Sequence, residues 1–537
     1  MKPAVIRWGG FVGSLATAGS AYLGGSGFER VPSVNPLTLL SGQKGVLLPI
    51  CWVVGTALLI SAWWWGRHVV PSTRWALITT GLWLLPVLPF LPLGSADVYS
   101  YACQGYVQHA GGDPYAMGVQ EFGCPWLDSV ATSWRDSPAP YGPLFLILAA
   151  WAVGLAGDSL GAVIAGLRVI ALAGLALTAL GLPVLARRAG KDPARAVWLV
   201  LACPLVLVHL VSGAHNDALM IGLIVAGLAL IAKSATLPPT TGQPSLLNAD
   251  RSGFSDAAQQ DQSSATERED PDRLSGTRGG LGRPAWRVLA FLVGGGVVLG
   301  LAVAVKATAV VVLPFAVLAV VRNSAPLRAL WRPAVAIGGG ALLATAVLSL
   351  VSGRGFGWVA GLARSGDSVT WGSPSTAVGL TVEFLVRLFG PEINAVPVTR
   401  AIGVVLLAVI LVALWWRARQ GGALPGAGLA LAATVLCAPV FHPWYATWPL
   451  AVLATTGTRL RDPATTGSRA GDPQHPATGG IEDDNRWLLG LCAFAATLTL
   501  PAGYNWALYT RIPGAIVVTA ALVVLAVVQV RRRRVFA

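Results

Sequence analysis

The chain reads as an all-α integral membrane protein with about 14 transmembrane helices, and three observations lead there. Of its 537 residues, 54% are hydrophobic and only 12% charged, with a mean hydropathy of +0.64, which sets it apart from soluble domains. Apolar stretches of roughly 16–25 residues recur along it, each long enough to cross roughly 30 Å of hydrocarbon as a helix. The 63 glycines and 36 prolines fit closely packed, kinked helices of the kind that membrane neighbours permit.

The expected spans are 4–25, 46–65, 75–93, 161–186, 195–212, 217–232, 287–305, 307–321, 333–352, 399–416, 424–440, 443–457, 486–503 and 511–530. Residues 4–25 lead into no clean small-residue cleavage site, so they count as the first span and not as a signal peptide. Residues 142–157 are also apolar. A full crossing there would place Arg187, Arg188, Lys191 and Arg195 outside. A re-entrant or surface-lying helix instead puts that cluster inside, as the positive-inside rule expects, with both termini in the cytoplasm. The net charge of +14 sits between spans and in the tail. Arg531–Arg534 therefore reads as an anchor to anionic headgroups, and a nucleic-acid partner is not expected.

This divides the chain into an N-terminal transmembrane block (1–232) with an external loop at 94–141, a linker (233–286), a central block (287–457), a second linker (458–485) and the C-terminal helices with a basic tail (486–537). Both linkers are polar and rich in Pro, Gly and Ser. They cannot bury enough apolar surface to offset ordering entropy, so they are expected to be disordered and cytoplasmic.

The charge that the chain withholds elsewhere gathers in GSADVYSYACQGYVQHAGGDPYAMGVQEFGCPWLDSVATSWRDSP at 94–138. Under the topology set by Lys and Arg, this segment shares one face with GAHND (213–217), the 353–398 loop, FHPWY (441–445) and GYNW (503–506). That convergence marks a single site at the external bilayer surface. Asp97 precedes VYSYACQGYV, which reads as a helix. It can be an N-cap, a general base, since a partly desolvated carboxylate has a raised pKa, or both. Tyr99, on the same stretch, is a candidate substrate contact. His215, Asn216 and Asp217 either cap the next span or bind sugar hydroxyls or phosphate. His442, Trp444 and Tyr445 form an interfacial belt or a surface for stacking sugars and donating to phosphate. Arg135 is suited to an oxyanion, unless it pairs locally with Asp136. Lys306 and Arg511 can snorkel to headgroups or neutralise a lipid phosphate. Cys103 and Cys124 can form a disulfide that staples the loop; the other four cysteines read as small core residues. No Cys/His spacing suggests zinc, and no nucleotide-binding or nucleophile-elbow motif stands in a fitting context.

ADVYSYACQGYV, GGDPY (111–115), WRDSPAPYGPL (134–144), SGAHNDALM (212–220) and HPWYATWP (442–449) together resemble the GT-C class of membrane glycosyltransferases. More closely, they are similar to the actinobacterial polyprenyl-phosphomannose-dependent α-1,6-mannosyltransferases of lipomannan and lipoarabinomannan synthesis. The resemblance points to the member that builds the proximal core, with the distal-extending paralogue as the alternative. It implies a GT-C fold with re-entrant or juxtamembrane helices at the external face of the cell membrane. It also implies a polyprenyl-phosphate-mannose donor and a lipid-anchored mannan acceptor, set among membrane lipids. Asp97 would deprotonate the acceptor 6-hydroxyl and Asp217 would be the second acid of the family. Arg135, His442 or another cation would stabilise the departing phosphate. Many relatives carry paired acids at the first site, whereas Asp97 is followed by Val98, so neither a metal nor another cofactor is expected. Two other readings stand beside this one: a GT-C enzyme using another polyprenyl-phosphate sugar such as arabinofuranose, and a lipid-linked sugar transporter or flippase. A transporter would be expected to carry internal repeats and broken helices at mid-membrane, and no clear repeat is visible.

Overall fold

The computed structural model describes residues 2–24, 46–90, 92–234, 285–362, 369–457, 485–501 and 505–535. The two expected linkers, Gly503, Tyr504 and the side chains of Arg532–Arg534 lie wholly or almost wholly outside these. In chain order the main helices are α1 (Pro3–Gly24), α2 (Leu47–Gly66), α3 (Thr73–Leu84), α4 (Asp97–His109), α5 (Pro143–Ala156), α6 (Leu160–Arg188), α7 (Pro193–Leu201), α8 (Asp217–Ser234), α9 (Ala285–Val305), α10 (Leu313–Leu318), α11 (Trp331–Val351), α12 (Pro374–Arg387), α13 (Val396–Ala418), α14 (Ala423–Cys437), α15 (Thr447–Thr456), α16 (Arg486–Thr497) and α17 (Arg511–Val535). The described residues contain no β-sheet, only one isolated bridge between Thr499 and Asn505. The fold is that of an all-α membrane protein.

Seven described helices are long and apolar enough to cross a membrane, eight if α7 and the π-helical turn Val206–Ser212, bent by 66°, count as one span. The count of about 14 expected spans is not reached among the described residues, and three of the expected runs are broken in their backbone. The run at 75–93 leaves the α-helix at Leu84 for a 3-10 turn containing Pro86. The run at 307–321 is a 3-10 turn followed by the six-residue α10, with Pro314 at its start. The run at 443–457 is a 3-10 turn, Pro443–Ala446, and then α15. Proline lacks the N–H that an interior helical hydrogen bond needs, so each break falls beside one. The 14-residue α5 is about 21 Å long at the α-helical rise, too short for a straight crossing. The 353–398 region is not simply a loop: it holds α12, whose Glu383 carboxylate accepts from the N–H groups of Ala395 and Val396 at 2.8 and 2.9 Å and so caps α13.

The helices differ sharply in how far they are enclosed. The spanning window of α8 is 83% buried, those of α13 and α17 only 6%. An apolar helix buried all round is an interior helix; the spanning windows of α13 and α17 leave most of their side chains uncovered by the rest of the described chain. α8 packs on α6 and α9, and α9 packs on α11. These contacts are close because small residues meet. At the α6–α8 crossing, a Cβ on Gly222 would overlap the carbonyl of Gly174, the close backbone approach by which membrane helices associate without a hydrophobic driving force.

Candidate active site

The polar segments meet where helices break. The loop before α4 turns sharply at Gly94, whose φ of +75° lies in the left-handed region that glycine adopts without strain. A Cβ there would meet Val208 and the His209 ring. Ala96 occupies the N-cap position and Asp97 is the first residue of α4, so the capping role is corrected. The Asp97 N–H donates to Ser95 Oγ at 3.1 Å, and its carboxylate lines a cavity of about 260 Å³.

Four further segments complete the cavity wall: Pro140 and Tyr141 ahead of α5, Lys306–Thr308 after α9, Thr434 and Ala438–Val440 at the end of α14, and His442, Trp444, Tyr445 and Trp448 around the start of α15. Tyr101 and Trp134 stand beside Asp97. The Gly142 N–H donates to the Val305 carbonyl at 3.0 Å. A Cβ on Gly142 would overlap the Ala304 carbonyl, so its absence brings Tyr141 and Lys306 to one wall.

Lys306 occupies an extended break between α9 and the following 3-10 turn. Its ammonium donates to Asp217 Oδ1 at 2.9 Å, and the Trp448 indole N–H donates to the same oxygen at 2.7 Å. The ammonium also lies 4.5 Å from the centroid of Tyr445 and 4.9 Å from that of Trp448, a cation–π arrangement. Asp217 is fully enclosed, whereas 12% of the Lys306 side chain remains exposed. His215 joins the two acids. Its Nδ1 is 3.1 Å from the Tyr101 hydroxyl, 3.9 Å from Asp97 Oδ2 and 4.0 Å from Asp217 Oδ2. The turn that presents His215 contains Ala214 at φ +48°, a left-handed conformation of the kind that clusters at functional sites. On the other side, Trp444 is sandwiched between His215 at 4.0 Å and His442 at 4.6 Å, the latter pair only 7° from parallel.

Burial pushes the Asp97 carboxyl up to about 6, a rise opposed by Ser95, Lys306 and Trp134 and assisted by the negative charge of Asp217. Burial drives His442 down to about 3, with Lys306 adding to the effect, and holds His215 well below its ordinary value. Burial works most strongly against the charge on Lys306, but Asp217, Tyr445 and Asp97 together outweigh it, and the ammonium titrates above the usual lysine value. The site at neutral pH therefore carries ionised Asp97, two neutral histidines and a lysinium.

Of the residues expected at the site, Asp97, His442, Trp444 and Tyr445 line the cavity, and His215 and Asp217 stand directly behind Asp97 and Lys306. Four do not reach it. Tyr99 is buried with Arg168 as its charged neighbour. The Arg135 guanidinium donates to the carbonyls of Val130 at 3.0 Å and Asp128 at 3.4 Å, pinning its own loop. Asp136 follows on the exposed side of that loop. Asn216 is buried, and its amide has no hydrogen-bond partner among the described residues. Cys103 and Cys124 are disulfide-bonded, tying α4 to the segment that leads to Trp134.

Sequence reasoning passed over Tyr101, Trp134, Tyr141 and Trp448, and left Lys306 between snorkelling to headgroups and neutralising a lipid phosphate. Tyr101 had a signal, four residues after Asp97 and so on the same helix face. The larger omission is Arg168, a lone charge inside the apolar run of α6. Its guanidinium donates to the carbonyls of Leu88 at 2.5 Å, Phe90 at 2.7 Å and Ser212 at 2.9 Å. It thereby binds the loop before Asp97 to the turn before His215. A mid-span ionisable residue is itself a functional signal. Among the described residues, no group of three or more His, Cys, Asp or Glu side chains is disposed to hold a metal ion.

Residues 7–322 match the family described as "Alpha-(1->6)-mannopyranosyltransferase, N-terminal domain", and residues 375–530 match the MptB C-terminal domain. The chain is 32% identical to alpha-(1->6)-mannopyranosyltransferase A of Mycobacterium tuberculosis, over 83% of this chain and 79% of that protein. It is 34% identical to a second alpha-(1->6)-mannopyranosyltransferase of the same organism, over 70% of this chain and 65% of that protein. It is also 28% identical to alpha-(1->6)-mannopyranosyltransferase B of Corynebacterium glutamicum, over 83% of this chain and 70% of that protein. No solved structure matches. With more than half of its length matched by the first of these families, the chain belongs to the alpha-(1->6)-mannopyranosyltransferase family.

Proposed function

We propose that this protein is an inverting α-1,6-mannosyltransferase that moves mannose from polyprenyl-phosphate-mannose to the 6-hydroxyl of a lipid-anchored mannan, extending a lipomannan backbone. The observation that carries this reading is Asp97, the sole carboxylate among the cavity's described lining residues. Its raised pKa suits a general base near neutrality. In the reaction, the acceptor O6–H gives its proton to the Asp97 carboxylate while O6 bonds to the anomeric carbon. The bond from that carbon to the phosphate oxygen breaks, with its electron pair staying on the phosphate. The donor diester, carrying one negative charge, becomes a polyprenyl monophosphate carrying two. Single displacement inverts a β-linked donor to an α product. The aromatic wall of Tyr141, Trp444, Tyr445 and Trp448 offers apolar faces to a sugar ring. A cavity of about 260 Å³, at the small end for ligand sites, suits a single sugar-phosphate headgroup with its isoprenoid chain left in the bilayer. The site is placed at the external face of the cell membrane, with both termini cytoplasmic, and the reaction is taken to need no metal.

The test is transfer from labelled polyprenyl-phosphate-mannose to a short α-1,6-mannoside in membranes containing chelator. Wild-type protein is expected to transfer mannose and not arabinofuranose. Asp97→Asn is expected to lower the rate by about a thousandfold or more, within the range for losing a general base and the charge it carries, with unchanged membrane insertion. Near-normal transfer by Asp97→Asn would move the base elsewhere, and transfer only from the arabinofuranose donor would defeat the assignment of substrate.

A further inference from the structure

The departing phosphate gains a negative charge in the reaction proposed above, so a cation is needed at the cavity wall. Two of the residues expected to supply it are otherwise engaged: Arg135 is committed to its own loop, and His442 is neutral at working pH. Arg168 spends its donors on three backbone carbonyls. Lys306 is the one Lys or Arg among the described lining residues. We propose that Lys306 is the catalytic residue that binds the phosphate of the lipid-linked donor and stabilises it as it leaves, and that Asp217 is the positioning residue that aims it.

This inference rests on the polyprenyl-phosphate reading and adds to it the identity of the phosphate-binding group. The geometry supports the division of roles. Asp217 is fully buried and takes its two short hydrogen bonds on one oxygen, from Lys306 at 2.9 Å and Trp448 at 2.7 Å. An acid so enclosed cannot reach a sugar hydroxyl in the cavity. It can hold an ammonium in place without neutralising its access, because an ammonium has three donors and one goes to Asp217. Tyr445 and Trp448 pack against the ammonium and fix its long, flexible stem, which would otherwise lose rotamer entropy on meeting the phosphate. Asp97 and Lys306 thus serve the two ends of the displacement, one taking the proton of the incoming oxygen and the other the charge of the outgoing one.

The test measures binding of a short-chain polyprenyl monophosphate to purified full-length protein in detergent, against the matching polyprenol. Transfer kinetics are followed alongside. Lys306→Met should weaken monophosphate binding by about tenfold or more, as expected on losing a charge-assisted contact, and leave polyprenol binding unchanged. Lys306→Arg should recover part of the loss. Asp217→Asn should raise the donor KM more than it lowers kcat. The acid limb of the pH profile should separate the roles further, since Lys306 lowers and Asp217 raises the pKa of Asp97. The limb should therefore move up in Lys306→Met and down in Asp217→Asn, which checks that both charges stand beside Asp97, while the KM-against-kcat split and the recovery by Lys306→Arg are what a merely structural role would not produce. Lys306→Met leaves Asp217 buried without its counter-ion and is prone to misfold, so Lys306→Met/Asp217→Asn, which removes both charges, is measured as well. Wild-type-like monophosphate binding by either folded variant overturns the proposal while leaving the role of Asp97 intact. A loss of kcat with unchanged donor binding in Asp217→Asn would make Asp217 a base and overturn its positioning role. Failure of the wild-type protein to prefer the monophosphate over polyprenol would overturn both this inference and the donor assignment.

Discussion

Asp97 owes its chemistry to its neighbours more than to its identity. Tyr101 and Trp134 flank it in the cavity, His215 lies 3.9 Å away, and Lys306 and Asp217 act on it with opposite signs. The balance leaves its pKa at about 6, with burial the dominant cause. The sign for activity follows directly. Below that value Asp97 is protonated and cannot accept the acceptor's proton; above it the carboxylate is ionised and competent. The rate at subsaturating substrate is therefore expected to fall as pH drops through about 6, by about tenfold per pH unit below it. A profile of kcat/KM from pH 4.5 to 8 measures this, and a flat profile across that range would show that Asp97 does not act as the base.

Breaks in regular structure do the positioning at the level of elements. α9 ends in the extended residue Lys306, and α14 gives way at Ala438 to the 3-10 turn that carries Trp444 and Tyr445. The π-helical turn Val206–Ser212 leads into the strained Ala214 and then His215. Unwound backbone inside a membrane protein needs its carbonyls satisfied by protein groups, and Arg168 does this for two of the loops. Its planar fork reaches three carbonyls at once, which a lysine ammonium cannot match in geometry. Arg168→Met is expected to remove several hydrogen bonds to a charged donor, each worth about 1.5–3 kcal/mol. Thermal unfolding of the purified protein should then shift down by several degrees, with activity lost alongside stability. Arg168→Lys should recover only part of the loss. An unchanged midpoint in Arg168→Met would show that the two loops hold without this tie.

For the molecule as a whole, the question is what holds a largely apolar bundle together when lipid is as apolar as leucine. The crossing of α6 and α8 answers it through contact distance, since Gly174 and Gly222 bring two backbones together. Gly222→Leu must force that interface apart, a form of overpacking that costs about 1–3 kcal/mol or more. The expected result is a lower yield of folded protein and a lower unfolding midpoint. Gly338→Ala is the matched control, because a Cβ there would meet nothing within 4 Å and alanine favours the helix. Equal stability of the two variants would show that the crossing is not where the bundle gains its cohesion.

Composition and charge by themselves determined an all-α membrane protein and the polar segments from which its site is built, because burial in lipid and the placement of Lys and Arg are properties of local sequence. Asp97, Asp217 and His442 were legible for the same reason: they are ionisable residues at the edges of apolar runs. The number of continuous spans was not legible, since an apolar run around Pro86, Pro314 or Pro443 looks like a span whether or not its backbone stays helical. Nor was the division of labour among the charges. Arg135 turned to its own loop, Tyr99 to the interior beside Arg168, and Lys306 to Asp217, a partner 89 positions away. Only the tertiary structure could decide these pairings, because a buried charge takes whichever counter-ion and hydrogen-bond partners the packing brings within reach, and sequence distance carries no information about that.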